Sequence, residues 1–205
     1  MKTKKEGIQI VLFDLGNVII CFDHMISARK AAEYCDKSAQ EIYDIFFSSP
    51  LTESFDAGMI GEEEFFRGAK ELLNLNGLNQ DGFYNIWNDI FWENLGIKSL
   101  IRDIKEKYQK FIIISNVNKA HFKYIWDKFP IVREADELIL SYEVGFLKPD
   151  SRIYNIAVEK SGFSPSNIFY TDDREDLIKA AARLNFKAHL FYSINDISNC
   201  LFVSN

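Results

Sequence analysis

Cysteine is scarce in this chain of 205 residues, with three copies far apart in the sequence at Cys21, Cys35 and Cys200. An odd number of cysteines without a Cys-x-x-Cys pair is not typical of a disulfide framework, a zinc-binding motif or a dithiol redox motif. We therefore expect reduced, buried thiols.

Long apolar runs and an excess of positive charge are also missing. The apolar run that follows the N-terminal lysines, residues 8–13, ends at Asp14 and is too short for a signal peptide or a membrane span. The net charge is −6 and the pI is about 5.2, so the chain as a whole does not attract nucleic acid or an anionic membrane. A local basic pocket for a phosphate is compatible with this charge. We expect a cytoplasmic protein with no nucleic-acid or membrane partner.

The pattern of the chain is that of an ordinary globular protein, with 47% hydrophobic and 26% charged residues and no internal repeat or low-complexity tract. Helical periodicity separates short apolar or alternating runs in the C-terminal half, which predicts an α/β fold with a parallel sheet. The predicted strands are residues 8–13, 111–114, 137–140, 168–170 and 187–192.

Strand patterns vanish between about residues 25 and 92, where helical periodicity takes over. No long linker separates this segment from the rest, so we expect a helical insert that packs directly on the sheet, with hinges near residues 19–26 and 93–98. The predicted helices of the insert are residues 26–35, 38–48, 61–74 and 81–91.

Asp14 ends the first predicted strand and is followed two residues later by Gly16. Open parallel sheets place their chemistry at the carboxyl ends of the strands, which favours Asp14 as a nucleophile. A strand-ending aspartate that caps a turn is an equally simple interpretation of this motif alone.

Three later segments place polar groups at or after strand ends. Ser115 and Asn116 offer a hydroxyl and backbone amides to phosphoryl oxygens, and Lys148 precedes a predicted helix, where a cation could neutralise both Asp14 and a phosphate. The adjacent carboxylates of Asp172 and Asp173 are hard oxygen ligands suited to Mg²⁺. Each motif alone is also typical of a turn or a solvated surface.

In this order, and with a helical insert after the first of them, the four motifs resemble the haloacid dehalogenase (HAD) superfamily of hydrolases. Residues 115–121 and 140–154 are similar to a bacterial subgroup that contains glucose-1-phosphate phosphatase. The resemblance covers nearly the whole chain. It implies a Rossmann-like parallel sheet flanked by helices, residues 1–20 and 95–205, with a small all-helical cap, residues 21–94.

The resemblance also implies an activity, that of a Mg²⁺-dependent phosphatase acting on a small phosphate ester, most readily a sugar phosphate, as a monomer or homodimer. Asp14 would be the nucleophile that forms an aspartyl-phosphate. Mg²⁺ would be bound by Asp14, the Gly16 carbonyl and Asp173, with Asp172 as a further ligand or as support for the others.

The remaining motifs would hold the phosphate. Ser115 and the Asn116 amide would bind its oxygens, and Lys148 would keep Asp14 ionised and screen its repulsion from an anionic substrate.

Gly16 departs from the usual phosphatase pattern, in which a second aspartate at this position donates a proton to the leaving group. Loss of a positioned acid typically costs about 10²- to 10⁴-fold in rate, least for good leaving groups. His24 is a candidate substitute acid, although a packing role is the simpler interpretation. Asn118 and His121 could share a helix face near the pocket, and we favour a structural role for both.

Two other readings stay open. The 2-haloacid dehalogenases use the same first aspartate without a metal and also lack the second one, but the Asp172–Asp173 pair argues against that chemistry. A phosphate-binding regulator without turnover is the third alternative, and the joint presence of Asp14, Lys148 and Asp173 argues against it.

Overall fold

The structure, a computed structural model, describes residues 2–204, with side chains described for residues 3–202. A five-stranded parallel sheet forms its centre, in the order β6–β5–β2–β7–β8. The strands of this sheet are β2 (Ile10–Phe13), β5 (Lys110–Ser115), β6 (Glu137–Leu140), β7 (Ile168–Asp172) and β8 (Lys187–Leu190). The five predicted strands and the Rossmann-like α/β class are thus confirmed, with small shifts at the strand ends.

Helices cover both faces of the sheet, because alternate side chains of β2 are apolar on both faces and need to be buried on each. Val11 and Phe13 point into one hydrophobic cluster, whereas Ile10 and Leu12 point into the cluster on the opposite face, so all four side chains are buried. The flanking helices are α6 (Ile97–Lys107), α7 (Lys119–Lys128), α8 (Ser141–Val144), α9 (Ser151–Ser161), α10 (Glu175–Arg183) and α11 (Ile194–Leu201). An antiparallel pair of β1 (Lys2–Lys4) and β9 (Phe202–Ser204) joins the two ends of the chain.

The insert that follows β2 forms a third hydrophobic cluster with Phe46, Phe65 and Trp87 at its centre. Its helices are α1 (His24–Ala31), α2 (Ala39–Phe46), α3 (Pro50–Asp56), α4 (Glu62–Leu73) and α5 (Gln80–Asn88). Helix α3 falls between the predicted helices 38–48 and 61–74 and was not predicted, because Ser49-Pro50 is typical of a break between helices. Ser49 instead caps the helix by accepting from Thr52 N, and proline fits the first helical position, where no N–H is needed.

The insert was predicted to contain no strand, and this prediction is wrong at the base of the insert, where the chain enters and leaves it. There β3 (Ile20–Phe22) and β4 (Phe91–Glu93) form an antiparallel ribbon that carries the chain into and out of the helices. Strands of three residues are too short to produce a periodic pattern. The division into a core, 1–20 and 95–205, and a cap, 21–94, stays a proposal.

Within residues 2–204, no helix has the length and apolarity that crossing a bilayer requires. The three cysteines are free thiols, as predicted, but each is half-buried rather than fully buried.

Candidate active site

Asp14 follows β2 directly, at the carboxyl end of the sheet. Its backbone N–H donates to Thr171 O (2.9 Å), which ties it to the neighbouring strand β7. The side chain is buried, and its Oδ1 lies 2.5 Å from the Nζ atom of Lys148. The structure therefore joins the first and third sequence motifs, 134 residues apart, in one ion pair.

Lys148 is buried among acceptors. Its Nζ atom also donates to Asp172 Oδ2 (2.7 Å) and to Ile114 O (3.3 Å). Asn116 holds the backbone of the same lysine twice, because its Oδ1 accepts from Lys148 N (2.7 Å) and its Nδ2 donates to Lys148 O (2.9 Å). The sequence predicted a role only for the backbone amide of Asn116, and not this positioning of Lys148 by the Asn116 side chain.

Asp172 and Asp173 differ in their surroundings. Both oxygens of Asp172 accept hydrogen bonds from protein groups: Oδ2 from Lys148 and the Tyr170 hydroxyl, and Oδ1 from Arg174 N (3.0 Å). Asp173 is exposed and accepts from Asn17 Nδ2 (3.0 Å). Asp172 is thus engaged within the protein, whereas Asp173 faces the open side of the site.

Tyr170 and Asn17 were not among the predicted site residues. The contact of Tyr170 with Asp172 could have been predicted from the sequence, because residues two apart on a strand lie on the same face of the sheet. Asn17 adopts a left-handed backbone conformation (φ 55°), which asparagine tolerates better than most residues, but that turn is not predictable from composition.

The electrostatics of the site follow from burial and like charge. Burial raises the pKa of Asp14 to about 7, and the neighbouring carboxylates of Asp172 and Asp173 add to this, although Lys148 opposes it. Burial disfavours the ammonium form of Lys148, but Asp14 and Asp172 together raise its pKa above its usual range. Burial also raises the pKa of Asp173. The site therefore holds more negative charge than one lysine neutralises.

The donor set fits a hard divalent cation. Carboxylate oxygens of Asp14, Asp172 and Asp173 lie within 4.8 Å of one another, and three carboxylates against one ammonium leave a formal charge of −2. A cation such as Mg²⁺, which prefers oxygen ligands, would offset that charge.

A cavity with about 540 Å³ of space, part of it open to solvent, lies between the sheet and the insert. Gly16, Ser115 and Asn116 line it from the side of the sheet, and His24 and Trp87 from the insert. The cavity therefore runs from the strand ends towards the aromatic cluster of the insert.

His24 lies against aromatic rings in this cavity, with its ring centroid 4.3 Å from that of Phe47. Burial lowers the pKa of His24 to about 4, so the ring is neutral at neutral pH. A neutral imidazole is a weak acid, and this charge state does not favour His24 as the substitute proton donor.

Asn118 and His121 line the cavity and connect the sheet domain to the insert. Asn118 caps α7 by accepting from His121 N (2.8 Å), and its Nδ2 donates to Asp56 Oδ1 (2.9 Å). His121 Nε2 lies 3.1 Å from Trp87 O, and burial lowers its pKa to about 3. The structural role favoured for both residues stays a prediction.

The insert touches the sheet domain again beside these residues. Ser141 Oγ donates to Asp56 O (2.6 Å). Gly58, which has a positive φ of 69°, lies so close to Tyr142 that a Cβ atom would collide with the tyrosine backbone.

The chain belongs to the haloacid dehalogenase-like hydrolase family, whose model matches residues 8–185. The HAD resemblance is therefore confirmed, whereas the narrower one to the glucose-1-phosphate phosphatase subgroup stays a prediction.

Individual proteins extend this picture. A D-ribitol-5-phosphate phosphatase of Bacteroides thetaiotaomicron is 24% identical over 191 residues, covering 88% of this chain and 90% of that protein. A HAD family enzyme of the same organism, solved in complex with magnesium and inorganic phosphate, is 26% identical, with a TM-score of 0.78 and coverage of 89% of this chain and 93% of that one. The L-2-haloacid dehalogenase of Xanthobacter autotrophicus shares the fold, at 14% identity, a TM-score of 0.64 and coverage of 87% and 75%.

Proposed function

We propose that this protein is a Mg²⁺-dependent phosphatase that hydrolyses a small polyhydroxylated phosphate ester through an aspartyl-phosphate on Asp14. The observation that carries the proposal is the position of Lys148, whose ammonium lies between Asp14 and Asp172 while Asp173 stays open beside them. The relatives add support, since one is named for a sugar alcohol phosphate and another was solved with magnesium and phosphate.

In this proposal each residue has a separate task. One Asp14 oxygen attacks phosphorus in line, the P–O bond to the alcohol breaks, and the departing alkoxide takes a proton from solvent. Lys148 holds the carboxylate in its anionic form and attracts the phosphoryl oxygens. Ser115 and the Asn116 amide orient the phosphate at the end of β5. Water then hydrolyses the aspartyl-phosphate and regenerates Asp14.

Asp14, the Gly16 carbonyl and Asp173 would hold Mg²⁺, and Asp172 would support Lys148 rather than bind the ion directly. When bound, Mg²⁺ supplies charge neutralisation for the phosphoryl group. The bonds of Asp172 to Lys148, Tyr170 and Arg174 support this assignment, because they occupy both of its oxygens.

Two residues that line the cavity favour a substrate that carries hydroxyl groups. His24 Nδ1 and Trp87 Nε1 are buried and have no hydrogen-bond partner among the residues that the structure describes. A buried polar atom without a partner costs about 1–3 kcal/mol, which a bound hydroxyl would relieve. A purely apolar substrate would leave both atoms unsatisfied.

The decisive experiment measures phosphate release by the purified protein from an aryl phosphate with Mg²⁺ and with EDTA. A panel of sugar alcohol phosphates, sugar phosphates, nucleotides and acyl phosphates then compares kcat/KM. We expect release that depends on Mg²⁺ and a preference for small polyhydroxylated esters over nucleotides.

The same preparation separates the alternatives. Halide release from a 2-haloacid without metal would identify a dehalogenase, and phosphate binding without release of either product would identify a regulator. Either result would refute the proposed activity.

We further propose that the enzyme works in the cytoplasm as a monomer or homodimer. Three free thiols fit a reducing compartment.

A further inference from the structure

A second group of potential metal ligands lies at the edge of the sheet, outside the residues assigned to phosphate chemistry. His189 lies on the edge strand β8, and Asp196 and Cys200 lie one turn apart on α11, so both helix residues point to the same strand. One ligand atom from each of the three residues lies within 4.8 Å of the others. This group shares no residue with the carboxylates around Asp14.

The contacts converge on a single atom of the histidine ring. His189 Nε2 lies 2.7 Å from Asp196 Oδ2 and 3.5 Å from Cys200 Sγ. A cysteine–histidine–aspartate catalytic triad requires the cysteine and the carboxylate on different ring nitrogens. The arrangement is therefore unsuited to nucleophilic catalysis and instead brings one nitrogen, one oxygen and one sulfur to a common point.

The distances are close to those around a tetrahedral zinc ion. Zinc bonds of about 2.0 Å to nitrogen and about 2.3 Å to sulfur place these two ligands about 3.5 Å apart. The Sγ–Nε2 separation already has this value, and the Nε2–Oδ2 hydrogen bond must lengthen by about 0.6 Å. These two pairs would thus need little rearrangement, and the ligand atoms of Asp196 and Cys200 lie within 4.8 Å of each other.

The supporting structure keeps the three ligands in place. Ile197 and Leu201 on α11 are fully buried in the hydrophobic cluster below the sheet, and Ser193 caps the helix by accepting from Asp196 N (3.2 Å). The side chains of His189 and Asp196 remain 34% and 37% exposed, so an ion can reach them from solvent.

We propose that His189, Asp196 and Cys200 form a site for Zn²⁺ or a similar borderline-soft transition metal ion, with water in the fourth position. Binding forms bonds from Nε2, a carboxylate oxygen and Sγ to the metal and releases the thiol proton of Cys200 to solvent. In the metal-free protein Nε2 carries the ring proton and donates it to the Asp196 carboxylate, so binding requires a change of tautomer: Nε2 gives its proton to solvent, Nδ1 takes one up, and the ring stays neutral. The mixed nitrogen, oxygen and sulfur set disfavours Mg²⁺, which prefers oxygen ligands alone.

Cobalt(II) provides the test, because a thiolate ligand to Co²⁺ produces a charge-transfer band in the near ultraviolet that carboxylate sites lack. We expect the band at one equivalent of Co²⁺ in the presence of excess Mg²⁺, and its loss in Cys200→Ser and His189→Gln. The matched control Cys35→Ser should retain it, as should Asp173→Asn, which removes an oxygen ligand of the other site.

Thermal unfolding with Zn²⁺ is the second readout. Free Zn²⁺ about 100-fold above its dissociation constant should raise the Tm by about 5–10 °C in the wild type, and this rise should disappear in Cys200→Ser and His189→Gln. The Tm without metal shows whether each variant is folded. A wild type without the cobalt band, or a band that persists in Cys200→Ser, would overturn the proposal, whatever the outcome of the phosphatase assay.

Discussion

The side-chain amide of Asn116 forms two hydrogen bonds with the backbone of Lys148, one to its N–H and one to its carbonyl oxygen. The pair links the end of β5 to the loop before α9. It therefore determines where the lysine side chain starts on its path to Asp14.

Asn116→Ala should misplace Lys148 without removing any charge from the site. Two hydrogen bonds of about 1 kcal/mol each are lost, so we expect kcat/KM to fall by about 10-fold or more. The measurement is steady-state kinetics with an aryl phosphate, with Asn155→Ala on the exposed face of α9 as control. Equal activity of the two variants would argue against a positioning role for Asn116.

Asp14→Asn should remove the nucleophilic carboxylate while leaving the volume of the side chain almost unchanged. Lys148 keeps its ion pair with Asp172 in this variant, so we expect a folded protein whose phosphate release is lower by about 10³-fold or more. Circular dichroism checks the fold, and Asp127→Asn on α7 is the matched control. Substantial turnover by Asp14→Asn would rule out the aspartyl-phosphate mechanism.

Lys148→Met should be strongly destabilising. It leaves the buried carboxylates of Asp14 and Asp172 without their shared cation, and breaking a buried ion pair from one side typically costs about 3–5 kcal/mol. Urea unfolding in EDTA measures the change. Since one carboxylate of the variant can take up a proton instead, its deficit relative to wild type should shrink as the pH falls. A variant as stable as the wild type would contradict this account of the charge balance.

The pKa of Asp56 predicts a pH dependence of stability. Burial raises this pKa from 3.8 to about 6, despite the hydrogen bond from Asn118. Between about pH 4 and 6 the folded protein therefore binds more protons here than the unfolded chain, and its unfolding free energy falls as the pH rises. Above about pH 6 the buried Asp56 carboxylate is ionised, and it lowers the unfolding free energy by the full amount of about 3 kcal/mol.

Asp56→Asn tests this dependence, because asparagine does not titrate and its oxygen can still accept from Asn118. We expect the variant to be more stable than wild type by up to about 3 kcal/mol above pH 6, with a difference that shrinks towards pH 4. Urea unfolding across this range measures it. A constant difference at every pH would show that Asp56 is not the titrating group.

Gly16→Asp would introduce a carboxyl group at the position where the resemblance to phosphatases of this superfamily leads us to expect a proton-donating aspartate. The Phe22 side chain, however, occupies the space that the new side chain needs. A Cβ atom at residue 16 would lie 2.8 Å from Cε1 of Phe22, so Phe22 must move or be shortened. We expect the double variant Gly16→Asp/Phe22→Ala to exceed Phe22→Ala by about 10-fold or more on alkyl phosphates and little on aryl phosphates. An equal gain on both substrates would exclude a role in protonating the leaving group.

The central sheet and the four motifs were predictable because strands buried on both faces leave continuous apolar runs, and polar residues such as Asp14 mark where those runs end. The strands β3 and β4 were not predictable, since a strand of three residues is too short to show an alternation of apolar and polar side chains. Helix α3 was missed because proline after serine is typical both of a break and of a helix start.

Partners far apart in sequence were beyond prediction for a different reason. The bonds of Asn17 to Asp173 and of Asn118 to Asp56 depend on how the insert and the sheet pack together, and no local pattern in the chain encodes that packing. The convergence of His189 with Asp196 and Cys200 was hidden in the same way, because its spacing matches no known ligand motif.

The second contact of the insert, through Ser141, Asn118 and Gly58, has a kinetic consequence. The insert is held by the ribbon at its base, by the contact of His121 with Trp87 and by this second contact. A reactant larger than the opening of the cavity can therefore pass only if one of the non-covalent contacts breaks. The two hydrogen bonds to Asp56 must break for the insert to open on this side, and the rate at which they break would then limit the exchange of reactants with solvent. Any side chain in place of Gly58 would collide with the Tyr142 backbone and push the insert away from the sheet domain. We expect such a variant to enclose the cavity less tightly and to exchange reactants with solvent faster.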